Sequence, residues 1–99
     1  MMPRSASDHE ELIKDLKDPL EAAFYIEVVL EEGDPKMLRK ALKNVIEVQG
    51  GIDQLSLQVK QCYKKLDQTL SEAAEIDFYS LMTLFDALGL QLSVTVKSA

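Results

Sequence analysis

The chain has few of the residues that support catalysis or a disulfide-bonded fold. Among its 99 residues there is one cysteine, Cys62, and one histidine, His9. A single cysteine cannot form an internal disulfide. The sequence also has no second histidine and no nearby group of acidic residues that could activate the thiol as a nucleophile. The sequence has neither a metal-ligand spacing nor a glycine-rich phosphate loop. We therefore expect no enzyme: no catalytic residues, no metal and no cofactor.

Long hydrophobic runs are also missing. No apolar run approaches the roughly 20 residues that a membrane span needs. The first seven residues, MMPRSAS, contain no apolar segment of the kind found in secretory signals. We expect a cytoplasmic protein without membrane contact, folded as one domain over residues 1–99.

Charge is distributed unevenly along the chain. Residues 1–34 carry three basic and ten acidic side chains, residues 35–71 carry seven basic and three acidic, and residues 72–99 carry one basic and four acidic. The net charge of −6 argues against nucleic acid as a partner. Phosphate binding depends on the local field, however, so the basic middle segment keeps that possibility open.

Helix start and stop signals dominate the first half of the sequence. Asp18 and Asp34 each precede a proline, which is the pattern of an N-cap followed by proline at the first helical position. Gly33 stands where the helix opened by Asp18 would end. These signals predict one helix over 19–32 and another that begins at residue 35. An earlier short helix is indicated by a capping box at Ser7 and Glu10.

The helix that begins at residue 35 is the most regular in the chain. Its apolar face comprises Leu38, Ala41, Leu42, Val45 and Ile46. Its second face is a basic stripe of Lys36, Arg39, Lys40 and Lys43. Such a stripe is more often solvated surface than binding patch, although it could also hold phosphate or an acidic partner.

The region 52–71 fits two short helices joined by a tight turn. A helix-turn-helix needs a small residue where its helices cross, and Ser56 fits that position. Leu55, Val59 and Leu66 supply the apolar residues at the required spacings. Glycine is preferred in the turn, but Lys60 stands there. The second helix, near 62–71, would be the recognition helix.

Two elements are expected after residue 76. Asp77 caps a last helix that carries Leu81 and Phe85. Residues 90–96 alternate apolar and polar with period two, which predicts one β-strand. Because a lone strand needs pairing, the same strand of a second copy could supply it in a homodimer. The alternative is a tail that packs its leucines and leaves its backbone edge hydrated.

Several stretches resemble a known family. They are residues 16–25 (LKDPLEAAFY), 30–35 (LEEGDP), 38–42 (LRKAL), 48–52 (VQGGI) and 84–94 (LFDALGLQLSV). Together they resemble the probable addiction-module antidote proteins, which are HigA-type antitoxins with a lambda-repressor-like (XRE, or Cro/C1-type) helix-turn-helix. The resemblance covers about residues 12–96.

The resemblance implies an all-α, lambda-repressor-like domain of five to six helices with a short C-terminal β-strand. An acidic helical part would occupy 1–34, the helix-turn-helix domain 35–89 with its motif at 52–71, and the strand 90–96. It also implies the antitoxin of a type II toxin–antitoxin system, which neutralises a small basic toxin and represses its own operon as a DNA-binding transcriptional regulator. The positions that match the family's operator-contacting residues are Lys60, Gln61, Tyr63, Lys64, Lys65 and Gln68.

The family's turn reads Gly-Leu-Ser where this chain has Lys60, Gln61 and Cys62. A lysine in the left-handed conformation that glycine adopts there would cost about 1 kcal/mol. The alternative function is therefore a protein-interaction module of the same fold that has lost specific DNA binding and holds a basic partner, the toxin. Its partner-binding residues would be Glu21, Glu27, Glu31 and Glu32.

Overall fold

The computed structural model describes residues 6–94 and 96, and this part of the chain is all-helical. Its elements are α1 (Ala6–Asp15), α2 (Pro19–Glu32), α3 (Pro35–Val48), a 3₁₀ turn (Ile52–Gln54), α4 (Leu57–Ser71) and α5 (Phe78–Ala87). The all-α class predicted from the sequence is confirmed. None of the described residues forms a β-strand.

Local hydrogen bonds set the boundaries of α2 and α3. The carboxylate of Asp18 accepts a hydrogen bond from the backbone N–H of Leu20 at 3.0 Å. Asp34 repeats the arrangement with Lys36 at 2.9 Å. Gly33 closes α2 in the left-handed conformation, with φ of 71°. The boundaries predicted for α2 and the start predicted for α3 are confirmed, because these interactions involve only near neighbours in sequence.

Helix α3 lies at the centre of the core and packs against α1, α2 and α4. Its predicted apolar face is buried: Leu38, Ala41, Leu42, Val45 and Ile46. On the side toward α2, the buried amide of Asn44 donates a hydrogen bond to the Tyr25 hydroxyl at 3.1 Å. The other helices contribute Leu16 of the α1–α2 turn, Ala22, Ile26 and Val29 of α2, Leu66 and Leu70 of α4, and Leu81, Leu84 and Phe85 of α5. Truncating one of the large core side chains to alanine typically costs 2–5 kcal/mol.

The predicted turn at Lys60 and Gln61 is wrong. Helix α4 runs unbroken from Leu57 to Ser71, and the backbone N–H of Lys60 donates to the carbonyl of Ser56 at 2.9 Å. The chain turns earlier, at residues 55–56, where the Ser56 hydroxyl caps α4 by accepting from Val59 N–H at 3.3 Å. This arrangement spares Lys60 the left-handed conformation. The helix pair expected over 52–71 is thus a 3₁₀ turn followed by one long helix.

The predicted C-terminal strand is also absent from the described residues. Leu90 and Leu92 are half-buried against the core, whereas Val94 is 99% and Val96 97% exposed. The N–H of Leu90 donates to the Phe85 carbonyl at 2.8 Å, so the first tail residue closes the end of α5. Within the described part of the chain there is no neighbouring strand to form a ladder. The tail therefore takes the alternative form, with its leucines packed; residue 95 of the predicted strand lies outside the described residues.

Asp77 caps α5 as predicted. Its carboxylate accepts from the backbone N–H of Tyr79 at 3.1 Å and from the Ser80 hydroxyl at 3.0 Å. The hydrogen bond from Ser80, followed by that from Tyr79, lowers the pKa of Asp77 below its ordinary value. Lys65 of α4 lies 3.6 Å from the same carboxylate, so this cap also joins the α4–α5 hairpin.

We expect Lys60→Gly to lower the free energy of unfolding by roughly 0.5–1 kcal/mol relative to Lys60→Ala, because glycine weakens a helix. Both variants remove the 3.8 Å contact between Lys60 and Asp53, so the comparison isolates the backbone effect. The measurement is denaturant unfolding followed by circular dichroism. A glycine variant more stable than the alanine variant would indicate a left-handed turn at residue 60 and contradict the continuous helix.

We expect Asp77→Asn to lower the melting temperature at pH 7, because asparagine keeps a cap but lacks the charge. A carboxylate whose pKa is lowered by folding stabilises the protein above its unfolded pKa of about 3.9, and this stabilisation is lost as the pH falls through the folded pKa. The difference in melting temperature between wild type and variant should therefore shrink below about pH 4. A difference that stays constant from pH 7 to pH 3 would refute this role.

Candidate interaction surfaces

The basic stripe of α3 lies on the side of the helix opposite its buried face. Its members, Lys36, Arg39, Lys40 and Lys43, are all exposed. Residues three and four apart share one side of a helix, so the stripe follows from the same periodicity that forms the core face. Packing of α3 at the centre of the core therefore fixes the stripe at the protein surface.

An ion pair joins this stripe to α4. Arg39 Nε lies 2.7 Å and Nη2 3.2 Å from the two carboxylate oxygens of Asp67, in a bidentate arrangement. The hydrogen bonding of Arg39 to Asp67, and then the charge of that carboxylate, raise the pKa of Arg39 above its ordinary value. Both side chains are partly exposed, so the pair adds little to stability, although its bidentate geometry joins α4 to the stripe.

The stripe and α4 enclose an open groove of about 520 Å³, here called the basic groove. Its lining comprises Lys36, Arg39, Lys40, Lys43, Tyr63, Asp67 and Ser71. Burial, and then the charge of Asp67, raise the pKa of Tyr63 above its ordinary value. Among the described residues, no carboxylate lies within 4.0 Å of Lys36, Lys40 or Lys43. The groove therefore has a local excess of positive charge.

Five of the six residues expected to contact DNA lie along the outward side of α4, and Tyr63 lies apart from them. The continuous helix places Lys60 and Lys64 one turn apart on the same side, whereas Lys65 points to α5 and contacts Asp77. Gln61 and Gln68 are exposed and lie seven residues apart, between these two sides. The full set is Lys60, Gln61, Tyr63, Lys64, Lys65 and Gln68, and of these Tyr63 alone lines the basic groove.

The sequence interpretation missed the groove itself. It noted the stripe of α3 but did not connect it with Tyr63, Asp67 and Ser71 of α4. Arg39 and Asp67 are 28 residues apart, and periodicity within one helix carries no information about such a pair. The sequence shows that the two residues have opposite charges. Only the packing of α4 on α3 brings them into contact.

The acidic residues of α2 fall into two groups. Glu27 and Glu31 are one turn apart and share a side with Leu20 and Phe24; these four residues form what is here called the outer stripe of α2. Glu21 and Glu32 are exposed beside this stripe, toward Tyr25. The outer stripe lies opposite the buried face of α2, and Glu27 and Glu31 also line a cleft between α2 and the tail residues 90–93.

Two large apolar side chains of the outer stripe are exposed to solvent. Leu20 is 79% exposed and Phe24 is 64% exposed. The other side of α2 buries Ala22, Ile26 and Val29, so the helix is apolar on both sides. A helix that needed to cover only its own core would present polar residues outward. Covering a side chain such as Phe24 with a partner would contribute about 1.5–3 kcal/mol.

The two residues considered first for catalysis have ordinary surroundings. His9 Nε2 lies 3.2 Å from a carboxylate oxygen of Glu47, which joins α1 to α3. Cys62 is half-buried with a free thiol. Within residues 6–94 and 96 there is no group of three or more histidine, cysteine or acidic residues that could hold a metal. In the same part of the chain, every helix is too short or too polar to cross a membrane.

Comparison of this chain with protein-family models, with curated proteins and with solved structures found no match. The all-helical fold therefore rests on the structure itself. The functional assignment rests on the two surfaces described above, the basic groove and the outer stripe of α2, together with the resemblance noted in the sequence.

Proposed function

We propose that this protein is the antitoxin of a type II toxin–antitoxin pair, acts in the cytoplasm, and binds a small basic toxin through the outer stripe of α2. The observation that carries the proposal is the exposure of Leu20 and Phe24 directly opposite the buried face of their own helix. Exposed aromatic and aliphatic anchors surrounded by charge are typical of protein-binding surfaces.

Charge supports a basic partner for this surface. Among the described residues, no basic side chain lies within 4.0 Å of Glu27 or Glu31. Residues 1–34 carry ten acidic and three basic side chains, which would speed association with a positively charged protein. The apolar anchors would provide affinity and the surrounding carboxylates would provide specificity.

We expect Phe24→Ala to weaken toxin binding by about 2 kcal/mol, or roughly 30-fold in Kd, because it removes the largest exposed anchor. Glu27→Lys/Glu31→Lys should weaken binding as well, and should reduce its dependence on salt. The measurement is isothermal titration with the purified product of the neighbouring reading frame.

The matched control is Glu72→Lys/Glu75→Lys, which makes the same change in net charge at exposed positions of the α4–α5 loop. This control should bind like the wild type. Equal losses in both double variants would show that only total charge matters, and a neighbouring gene that encodes no small basic protein would count heavily against the antitoxin role.

A second candidate function is that of a DNA-binding autorepressor, and the observation that favours it is the unpaired charge of the basic groove. In this proposal the domain is a lambda-repressor-like one in which the 3₁₀ turn and α4 take the place of the usual helix pair. A homodimer would present two such surfaces to DNA sites about 34 Å apart.

We expect the wild-type protein to shift DNA from its own upstream region more strongly than a shuffled duplex of the same composition. The measurement is a gel-shift titration at 50 mM salt, repeated at 200 mM because phosphate contacts weaken with salt. No shift at 50 mM salt would remove the repressor role and leave the toxin-binding proposal intact.

A further inference from the structure

We infer that the basic groove binds the phosphodiester backbone of duplex nucleic acid, and that Lys36, Lys40 and Lys43 of α3 make the phosphate contacts. This inference deepens the second candidate function by moving the nucleic-acid contacts from α4 to α3. Binding of the phosphate backbone by the groove requires neither a helix-turn-helix nor a specific operator sequence.

The lysine spacing matches a nucleic-acid strand. Residues 36 and 43 are seven positions apart, which at 1.5 Å per residue corresponds to about 10 Å along the helix. One strand of duplex DNA carries a phosphate about every 3.4 Å along its axis, so this length faces about three phosphates. Three lysines without carboxylate partners therefore meet about three phosphates.

The ion pair between Arg39 and Asp67 makes the groove compatible with phosphate. Alone, the carboxylate of Asp67 would repel an anion at the groove floor. Its bidentate pairing with Arg39, at 2.7 and 3.2 Å, neutralises that charge and leaves three N–H donors of the guanidinium outside the two hydrogen bonds. The three lysines then set the net charge of the groove.

The remaining lining supplies further hydrogen-bond donors. Each side chain of the groove ends in a charged group or a hydroxyl group, and together they offer four cations and two hydroxyl donors to phosphate oxygens. The neutral Tyr63 phenol can donate one of these hydrogen bonds to phosphate or sugar. The acidic charge elsewhere on the protein is screened over a Debye length of about 10 Å at 0.1 M salt.

The test is fluorescence anisotropy with a labelled 20-base-pair duplex of random sequence, made once as DNA and once as RNA, between 50 and 200 mM salt. The groove variant is Lys36→Gln/Lys40→Gln. The matched control is Lys14→Gln/Lys17→Gln, which removes the same charge outside the groove. Circular dichroism verifies that both variants are folded.

Three phosphate contacts at about 0.9 each predict a log–log salt slope near −3, which is about a 40-fold loss of wild-type affinity between 50 and 200 mM salt. The groove variant should lose most of its affinity and slope for whichever duplex the wild type binds, while the control keeps both. Comparing the affinities for the DNA and the RNA duplex shows which of the two nucleic acids the groove binds.

Two outcomes would overturn the inference: a groove variant that binds like the control, or a wild-type protein that binds neither duplex at 50 mM salt. Failure of the autorepressor role looks different. In that case the upstream and shuffled duplexes bind equally well, and both still lose affinity in the groove variant.

Discussion

Burial of one face of α3 is the constraint on which the other features depend. Leu42 and its apolar neighbours on α3 contact three other helices, so the helix cannot rotate without opening the core. Because the opposite side carries the basic stripe, the same burial holds four cations at the surface. Burial of Leu66 and Leu70 in the same core places α4 beside the stripe, and the Arg39–Asp67 pair then forms between the two helices.

The two proposed surfaces lie on different helices and have opposite charge. The outer stripe of α2 combines apolar anchors with carboxylates, and the basic groove combines cations with hydroxyl groups. A basic protein and a polyanion would therefore not compete for the same residues. In a chain with a net charge of −6, this separation leaves a local excess of positive charge at the basic groove.

In α4, the identity of one residue, Lys60, affects the conformation of the segment around it. Glycine in the expected turn would accept the left-handed backbone without strain, but Lys60 would not. The chain instead turns at residues 55–56, and Ser56 caps a helix that continues to Ser71. The cationic and amide side chains of 60–68 then lie along the outward side of one long helix, apart from the basic groove.

The sequence by itself determined the features that depend on near neighbours. Aspartate before proline began α2 and α3, Gly33 ended α2, and the spacing of Leu38 to Ile46 identified the buried face of α3. Three features could be seen only in the folded protein: the partner of Arg39, the position of α4 beside α3 and the unpaired form of the tail. These depend on which distant segments meet: Asp67 lies 28 residues from Arg39, and a period-two pattern forms a strand only where another strand is in reach. Periodicity within one element specifies which side is buried, but not what it packs against.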